Sequence, residues 1–501
     1  MGQSAALSVV QVIVAGGALL FFYRYLLDTI GVAAVGVWSV VLATTSVGRI
    51  ADFGMGGGVS RFVARTNVEE NSSRAARYVE TAMLSSALAT ALMVVIALPL
   101  LKLLLASIVP PESIEIANAL LPYALLSFWI VNLTSVLQGG LDGALRVDLR
   151  NVIMIGSSVL QVGLGVLFVQ WKGIMGLAYA QLSQALIVLL TTWMVLRLWL
   201  PGLSLTPRKW DYHIFRELIG FGWKLQLTSI TAMLFEPVTK ALLARFGGLA
   251  SAGYYEAATR MVQQLRALLI NANQVLVPAI ADSEERDRGR ARALYRESYR
   301  AVSFLVIPIA GVMIVSLPAI SRLWIGHYEK RFVVFAALLT VGWFANALTG
   351  PSYFAAIGAG RIRWNLLGHV VIALLNVAAG YTLGMIYGGT GVVVGTVIAL
   401  IAGSGVVVVY NHREQGESMA ELFPAGTALL LLASIVGVIV GLLCYHALER
   451  NHNVVISLMA GLTVWLATVA WPTWRHPARH QLTGSVIGFA PSHLVHPSTT
   501  L

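Results

Sequence analysis

Apolar runs of roughly 20 residues, each long enough to cross about 30 Å of hydrocarbon as a helix, recur along nearly the whole chain. Their spacing predicts about 14 transmembrane helices. The polar connections are short: RTNVEENSSRAAR (65–77), PPESIE (110–115), GGLDGALRVDLRN (139–151), PGLSLTPRKWDYH (201–213) and NHREQGESM (411–419). None can hold a soluble domain. The first apolar run, Ala5 to Phe22, has the length of a signal-peptide core but lacks a basic leader and a small-x-small cleavage site, so it reads as a retained helix.

The pattern repeats. Shifted by 217 positions, GVWSVVLATTSVGRIADFGMGGGVSRFVA from Gly36 falls on GYYEAATRMVQQLRALLINANQVLVPAIA from Gly253, setting Gly36 on Gly253, Trp38 on Tyr255, Arg49 on Arg266 and Ala64 on Ala281. A second match, shifted by 215, sets Gly143, Ala144, Arg146, Gly173 and Gly176 on Gly358, Ala359, Arg361, Gly388 and Gly391. Two matches at nearly one offset indicate duplication. With six helices per repeat, an even number, both copies begin on the same side and are related by an axis along the membrane normal. The predicted fold is an all-α polytopic membrane protein: an N-lobe over 1–212 (helices 1–6), a C-lobe over 213–421 (helices 7–12), two further helices within 422–474, and a cytoplasmic tail over 475–501.

Composition agrees: 57% of the 501 residues are hydrophobic and only 11% are charged, with a mean hydropathy of +0.77. The net charge of +11 brings no nucleic-acid partner, because no recognition module or aromatic interleaving accompanies it. With the amino terminus inside, the larger share of Lys and Arg falls in cytoplasmic loops, as the positive-inside rule requires. Both termini are then cytoplasmic. The lone Cys444 supports no disulfide, iron–sulfur or zinc site.

Charges inside the spans carry the candidate chemistry, since each costs about 2.5–3.5 kcal/mol to insert and normally faces an interior or a wet cavity. The second helix carries Arg49 and Asp52, the seventh Lys224, Glu236 and Lys240, and the eighth Glu256, Arg260 and Arg266. The i,i+3 and i,i+4 spacings allow each pair to be a neutralised interior contact. Taken together, five cations (Arg49, Lys224, Lys240, Arg260, Arg266) face three anions, a surplus that suits an anionic ligand, and arginine's planar fork suits phosphate. Asp52, Glu236 and Glu256 are candidates for ion coupling, because a carboxylate moving between apolar and cationic surroundings takes up and releases a proton. Gly54, Gly56, Gly57 and Gly58 after Asp52, and Pro237 after Glu236, are candidate hinges, with close helix packing as the competing use of the glycines.

The stretch YRYLLDTIGVAAVGVWSVVLATTSVGRIADFGMGGGVSRFVAR (Tyr23–Arg65) resembles the amino-terminal signature of bacterial polysaccharide and O-antigen flippases, members of the multidrug/oligosaccharidyl-lipid/polysaccharide exporter superfamily. FEPVTKALLARFGGLASAGYYEAATRMVQQLRALLINANQVLVPAIA (Phe235–Ala281) resembles the same family at the start of its second lobe. The resemblance implies a two-lobed secondary transporter of the bacterial inner membrane with a cationic central cavity. It would move an undecaprenyl-pyrophosphate-linked glycan from the cytoplasmic to the periplasmic leaflet by alternating access, without a cofactor; the energy would come from an ion gradient such as H+ or Na+, from the membrane potential or from the substrate gradient. Its partners would be the lipid bilayer and other membrane proteins of polysaccharide assembly. The family's aspartate-glycine step falls on Asp52 and Gly54, and its charged outer half of the seventh helix on Glu236 and Lys240; Asp28-Thr29-Ile30-Gly31 departs from the usual leucine-glycine-proline turn.

Two other readings compete. A cation-coupled drug exporter of the same superfamily would use the same helices, whereas a glycan polymerase or ligase would need a long outer loop. The most polar outer loop is only IGHYEKR (325–331), with His327 and Glu329 as its acid–base groups. No P-loop spacing occurs, so ATP hydrolysis is absent from this chain.

Overall fold

The computed structural model describes residues 16–18, 20–46, 54–66, 72–233, 235–274, 288–358, 363–416 and 426–479. The described helices are α1 (20–29), α2 (Gly31–Ser46), α3 (Met55–Arg65), α4 (Ser72–Ile108), α5 (Pro111–Gly143), α6 (Val147–Lys172), α7 (Ile174–Trp199), α8 (Tyr212–Met233) and α9 (Phe235–Gln274). They continue as α10 (Arg288–Ile320), α11 (Lys330–Ala347), α12 (Gly350–Gly358), α13 (Arg363–Gln415), α14 (Thr427–Glu449) and α15 (Val454–Arg475). Among the described residues nine helices are long and apolar enough to cross a membrane, with Gly31–Ser46 a shorter apolar helix, and none forms a strand. The chain is an all-α, multi-pass membrane protein. Leu88, Leu92, Val95, Leu100 and Leu103 line an outward apolar stripe on α4, with Leu103 71% exposed, a face suited to lipid.

The residues group into two compact units. The first comprises Met1–Leu268, Lys330–Phe335 and His369–Ala399. Its apolar centre joins Met55, Val59 and Val63 of α3 to Tyr78 and Val79 of α4, Leu137 and Leu141 of α5, and Leu218 of α8. The backbones of α3 and α5 meet at glycines: a Cβ on Gly139 would overlap the Gly56 carbonyl, and one on Gly143 would lie 2.7 Å from the Ser60 carbonyl oxygen. Small residues substitute here for the hydrophobic drive that lipid cannot supply.

Glu80, fully buried on α4, accepts the backbone N–H groups of Ser204 and Lys209 at 2.9 Å and of Arg208 at 3.2 Å. One carboxylate thereby satisfies three donors of the connection before α8. Asp211 caps α8, accepting from the N–H of His213 at 2.8 Å and of Ile214 at 3.3 Å, and pairs with Arg77. The Ile214 N–H, then the His213 N–H and the Arg77 charge, hold its carboxyl below the ordinary aspartate value.

The second repeat match has a conformational basis in this unit. Gly173, between α6 and α7, has φ 56° and ψ −131°; Gly388, its mate inside α13, has φ 62° and ψ −145°. Both lie in a region that favours glycine. A Cβ on Gly176 would overlap the Phe168 carbonyl, and one on its mate Gly391 would overlap that of Leu383. Phe168 and Leu383 are themselves separated by 215 positions.

The second unit comprises Leu269–Glu329, Ala336–Gly368 and Leu400–Leu501. Here α14 and α15, close to the predicted last two helices, pack on each other and on α10. Gly441 and Gly461 face one another, and a Cβ on Gly311 of α10 would strike Trp465 and Ser434. Asn453 caps α15 through the Val455 N–H at 3.0 Å, and Arg322 pairs with Glu449. Tyr295 joins Ser352 at 2.7 Å and His412 Nδ1 at 2.5 Å in a buried polar group.

Candidate functional site

The first unit holds a carboxylate with four donors around it. Helix α9 is broken at Gly248 (φ 76°, ψ 169°), so that residues 235–247 and 249–274 form two arms. Lys240 on the first arm and Glu256 on the second meet at 2.6 Å, with side chains only 4% and 3% exposed. Glu256 also accepts from Arg260 Nε at 2.7 Å, one helical turn along. The remaining donors come from elsewhere: Tyr23 Oη of α1 at 2.9 Å and Ser39 Oγ of α2 at 2.8 Å. An isolated buried charge would be prohibitively costly, and these four bonds offset that cost inside an apolar bundle. Glu236 stands 3.7 Å from Lys240 with 44% of its side chain exposed.

Glu236, Lys240, Glu256 and Arg260 are thus brought together, with their charges balanced. Lys240 is spent on Glu256. Arg260 also bonds Glu256, yet 42% of its side chain remains exposed. Arg266 lies further along the same arm with Nη1 bonded to Gln263 at 3.3 Å. Six positions separate it from Arg260, which at 3.6 residues per turn sets the two about 120° apart around the helix. Arg49 and Asp52 fall outside the described residues, as does the side chain of Lys224 on α8.

Three of the four glycines after Asp52 lie in close helix contacts. Gly54 starts α3 with φ 67° and lies against the Gly222 carbonyl, Gly56 lies against Ser135 and Gly139, and Gly58 lies against Leu218, while Gly57 is exposed. Pro237 sits in the first turn of α9, where its missing N–H costs no helical bond. Asn376 Nδ2 and Thr239 Oγ1 both donate to the Phe235 carbonyl, at 3.1 and 3.0 Å, and Thr396 Oγ1 donates to Asn376 Oδ1 at 3.0 Å. Sequence reasoning singled out neither this network nor Tyr23 and Ser39.

A signal for the last two was available. The shift of 217 sets Tyr23 on Lys240, Gly31 on Gly248, Val32 on Leu249, Ser39 on Glu256 and Ala43 on Arg260. Gly31 has φ 81°, as Gly248 has φ 76°. A Cβ on Gly36 would overlap the Leu249 carbonyl, and one on its mate Gly253 would overlap the Val32 carbonyl. The two helices therefore cross in a self-complementary contact, each presenting the same positions to the other.

The fold is that of a polytopic, all-α membrane protein with a buried carboxylate held between its helices. Residues 30–328 match the family described as polysaccharide biosynthesis protein, and the chain belongs to that family. No curated protein matches the sequence. Among solved structures, one described as lipid II flippase MurJ in an inward closed conformation is similar with a TM-score of 0.73 at 13% identity, over 93% of this chain and 98% of the other. An inward-facing multidrug resistance MATE family transporter of the MOP superfamily gives 0.71 at 16% identity, over 81% and 94%. A MOP superfamily transporter from Pyrococcus furiosus, described as having a binding pocket of reversed polarity, gives 0.57 at 16% identity, over 83% and 93%.

Proposed function

We propose that this chain is a flippase that carries an undecaprenyl-pyrophosphate-linked oligosaccharide from the cytoplasmic to the periplasmic leaflet of the bacterial inner membrane, for surface polysaccharides such as O-antigen. Membership of the polysaccharide biosynthesis family supports a glycan cargo. The observation that carries the anionic part is Arg260, a guanidinium anchored through Nε to the buried Glu256 while 42% of its side chain stays accessible. A guanidinium held in place by a buried carboxylate and still partly accessible is suited to a phosphate, which arginine binds through paired N–H groups. Arg266 on the same helix, with Arg49 and Lys224, extends the proposed path.

The cargo would move by alternating access between a lobe over 1–212 and one over 213–421, with both termini cytoplasmic. The last two helices, α14 and α15, and the tail over 475–501 would stand outside this pair. Transport would be coupled to H+ or Na+ through Asp52, Glu236 or Glu256, with Gly54, Gly56, Gly57, Gly58 and Pro237 accommodating the motion.

The test is leaflet-resolved appearance of a fluorescent lipid-pyrophosphate oligosaccharide in proteoliposomes, with and without a proton or sodium gradient. Gradient-dependent translocation is expected, and Arg260→Ala should slow it about tenfold or more, the worth of one charged hydrogen bond. Export of a small cationic dye without glycolipid movement would instead identify a drug exporter. Lengthening of the glycan would identify a polymerase.

A further inference from the structure

Ser39 and Glu256 are the same position in the two copies of the repeat, and they bond to one another at 2.8 Å. Gly36 and Gly253, one turn earlier, likewise meet each other's helices through repeat-equivalent carbonyls. A position that touches its own repeat mate must lie on the axis relating the copies. Any passage between the copies along that axis is closed at the level of such a contact.

We infer that the Ser39–Glu256 contact is a gate on the repeat axis, closed here, at the end of the passage marked by the Gly31 and Gly248 turns. Tyr23 and Lys240 are its positioning residues, themselves one repeat-related pair converging on the same carboxylate. The gate is asymmetric in chemistry although symmetric in place. Across the contact, among the described residues, one copy supplies the Glu256 carboxylate and the other supplies two neutral hydroxyls. This combination suits a contact that must open. Glu256 keeps Lys240 and Arg260 from its own copy when the copies part, so its charge is never left alone, and only the two hydroxyl bonds from Tyr23 and Ser39 are broken. A salt bridge across the same gap would leave an unpaired charge on each side at every cycle. The glycine crossing beneath the contact permits close approach and offers no side-chain interdigitation to undo.

The inference rests on the alternating-access part of the proposed function and is independent of the cargo. Ala43 is buried, one turn beyond Ser39 on the same helical face, and is the repeat mate of Arg260. Ala43→Cys, placed in a Cys444→Ala chain reconstituted in vesicles, reports the gate through its rate of labelling by a membrane-impermeant maleimide. The reagent is added from the side of the Gly31 and Gly248 turns. Glu256→Gln should raise the rate about tenfold, and Ser39→Ala, which leaves every charge in place, about threefold. Unchanged labelling in Ser39→Ala, with the fold intact by thermal unfolding, would overturn the gate even if Glu256→Gln does not fold. Because the readout contains no substrate, failure of glycolipid transport would leave this result standing, and the reverse also holds.

Discussion

Residues 23–43 and 240–260 offer two versions of one piece of backbone. Both place a glycine of positive φ, Gly31 or Gly248, at the turn between helices. Both keep a glycine at the crossing and a buried aromatic two positions later, Trp38 or Tyr255. Their polar positions differ: Tyr23, Ser39 and Ala43 in the first, Lys240, Glu256 and Arg260 in the second. The difference separates two kinds of constraint. Positions where backbones touch are fixed by sterics in both copies, while positions around the carboxylate are free to diverge because one charged set suffices when the copies meet on their axis.

Enlarging the crossing should give the largest effect. Gly36→Leu or Gly253→Leu forces a side chain into the opposing carbonyl and should cost about 3 kcal/mol or more, seen as a large drop in the thermal midpoint of purified protein in detergent. Gly156→Leu, where a Cβ meets open space, is the matched control and should stay close to wild type. Equal losses at all three sites would undo the claim that the crossing is special.

The chemical asymmetry predicts a smaller, unequal pair. Lys240→Met removes the closest cation from Glu256 and should cost about 3 kcal/mol. Its mate Tyr23→Phe removes one hydroxyl and should cost about 1 kcal/mol in the same assay. The opposite order would show that the hydroxyls, not the lysine, hold the charge.

The smallest effect sharpens the backbone identity. Gly31→Ala and Gly248→Ala each strain a positive φ and should each lower stability by about 1 kcal/mol. The comparison turns on their agreement to within a few tenths. A loss at only one turn would mean that the two copies no longer share this conformation in solution.

Much of this was legible before folding. Apolar run length gave the helical membrane class, because a bilayer leaves no other way to satisfy backbone groups in a single-chain segment of this kind. The shift read from Gly36 and Gly253 pointed to the crossing, since a glycine kept at both copies marks a place where no Cβ fits. Spacing brought Glu236 to Lys240 and Glu256 to Arg260, as i,i+4 neighbours must be. Spacing could not show that Lys240 reaches across the Gly248 break to Glu256, because that contact depends on the direction in which the second arm returns. Nor could it show Tyr23 and Ser39 as donors, since a tyrosine and a serine in an apolar run carry no charge to draw notice. Asn376 was missed for a similar reason: its partner is a main-chain carbonyl, and main-chain groups leave no mark in a sequence.

The sequence by itself determined the class, the duplication and the residues able to carry charge, because these follow from local apolar length, periodicity and side-chain type. The tertiary structure decided which charges are spent on one another and which remain accessible. It set Lys240 against Glu256 and left Arg260 partly exposed, because burial and pairing depend on neighbours brought from α1, α2 and both arms of α9.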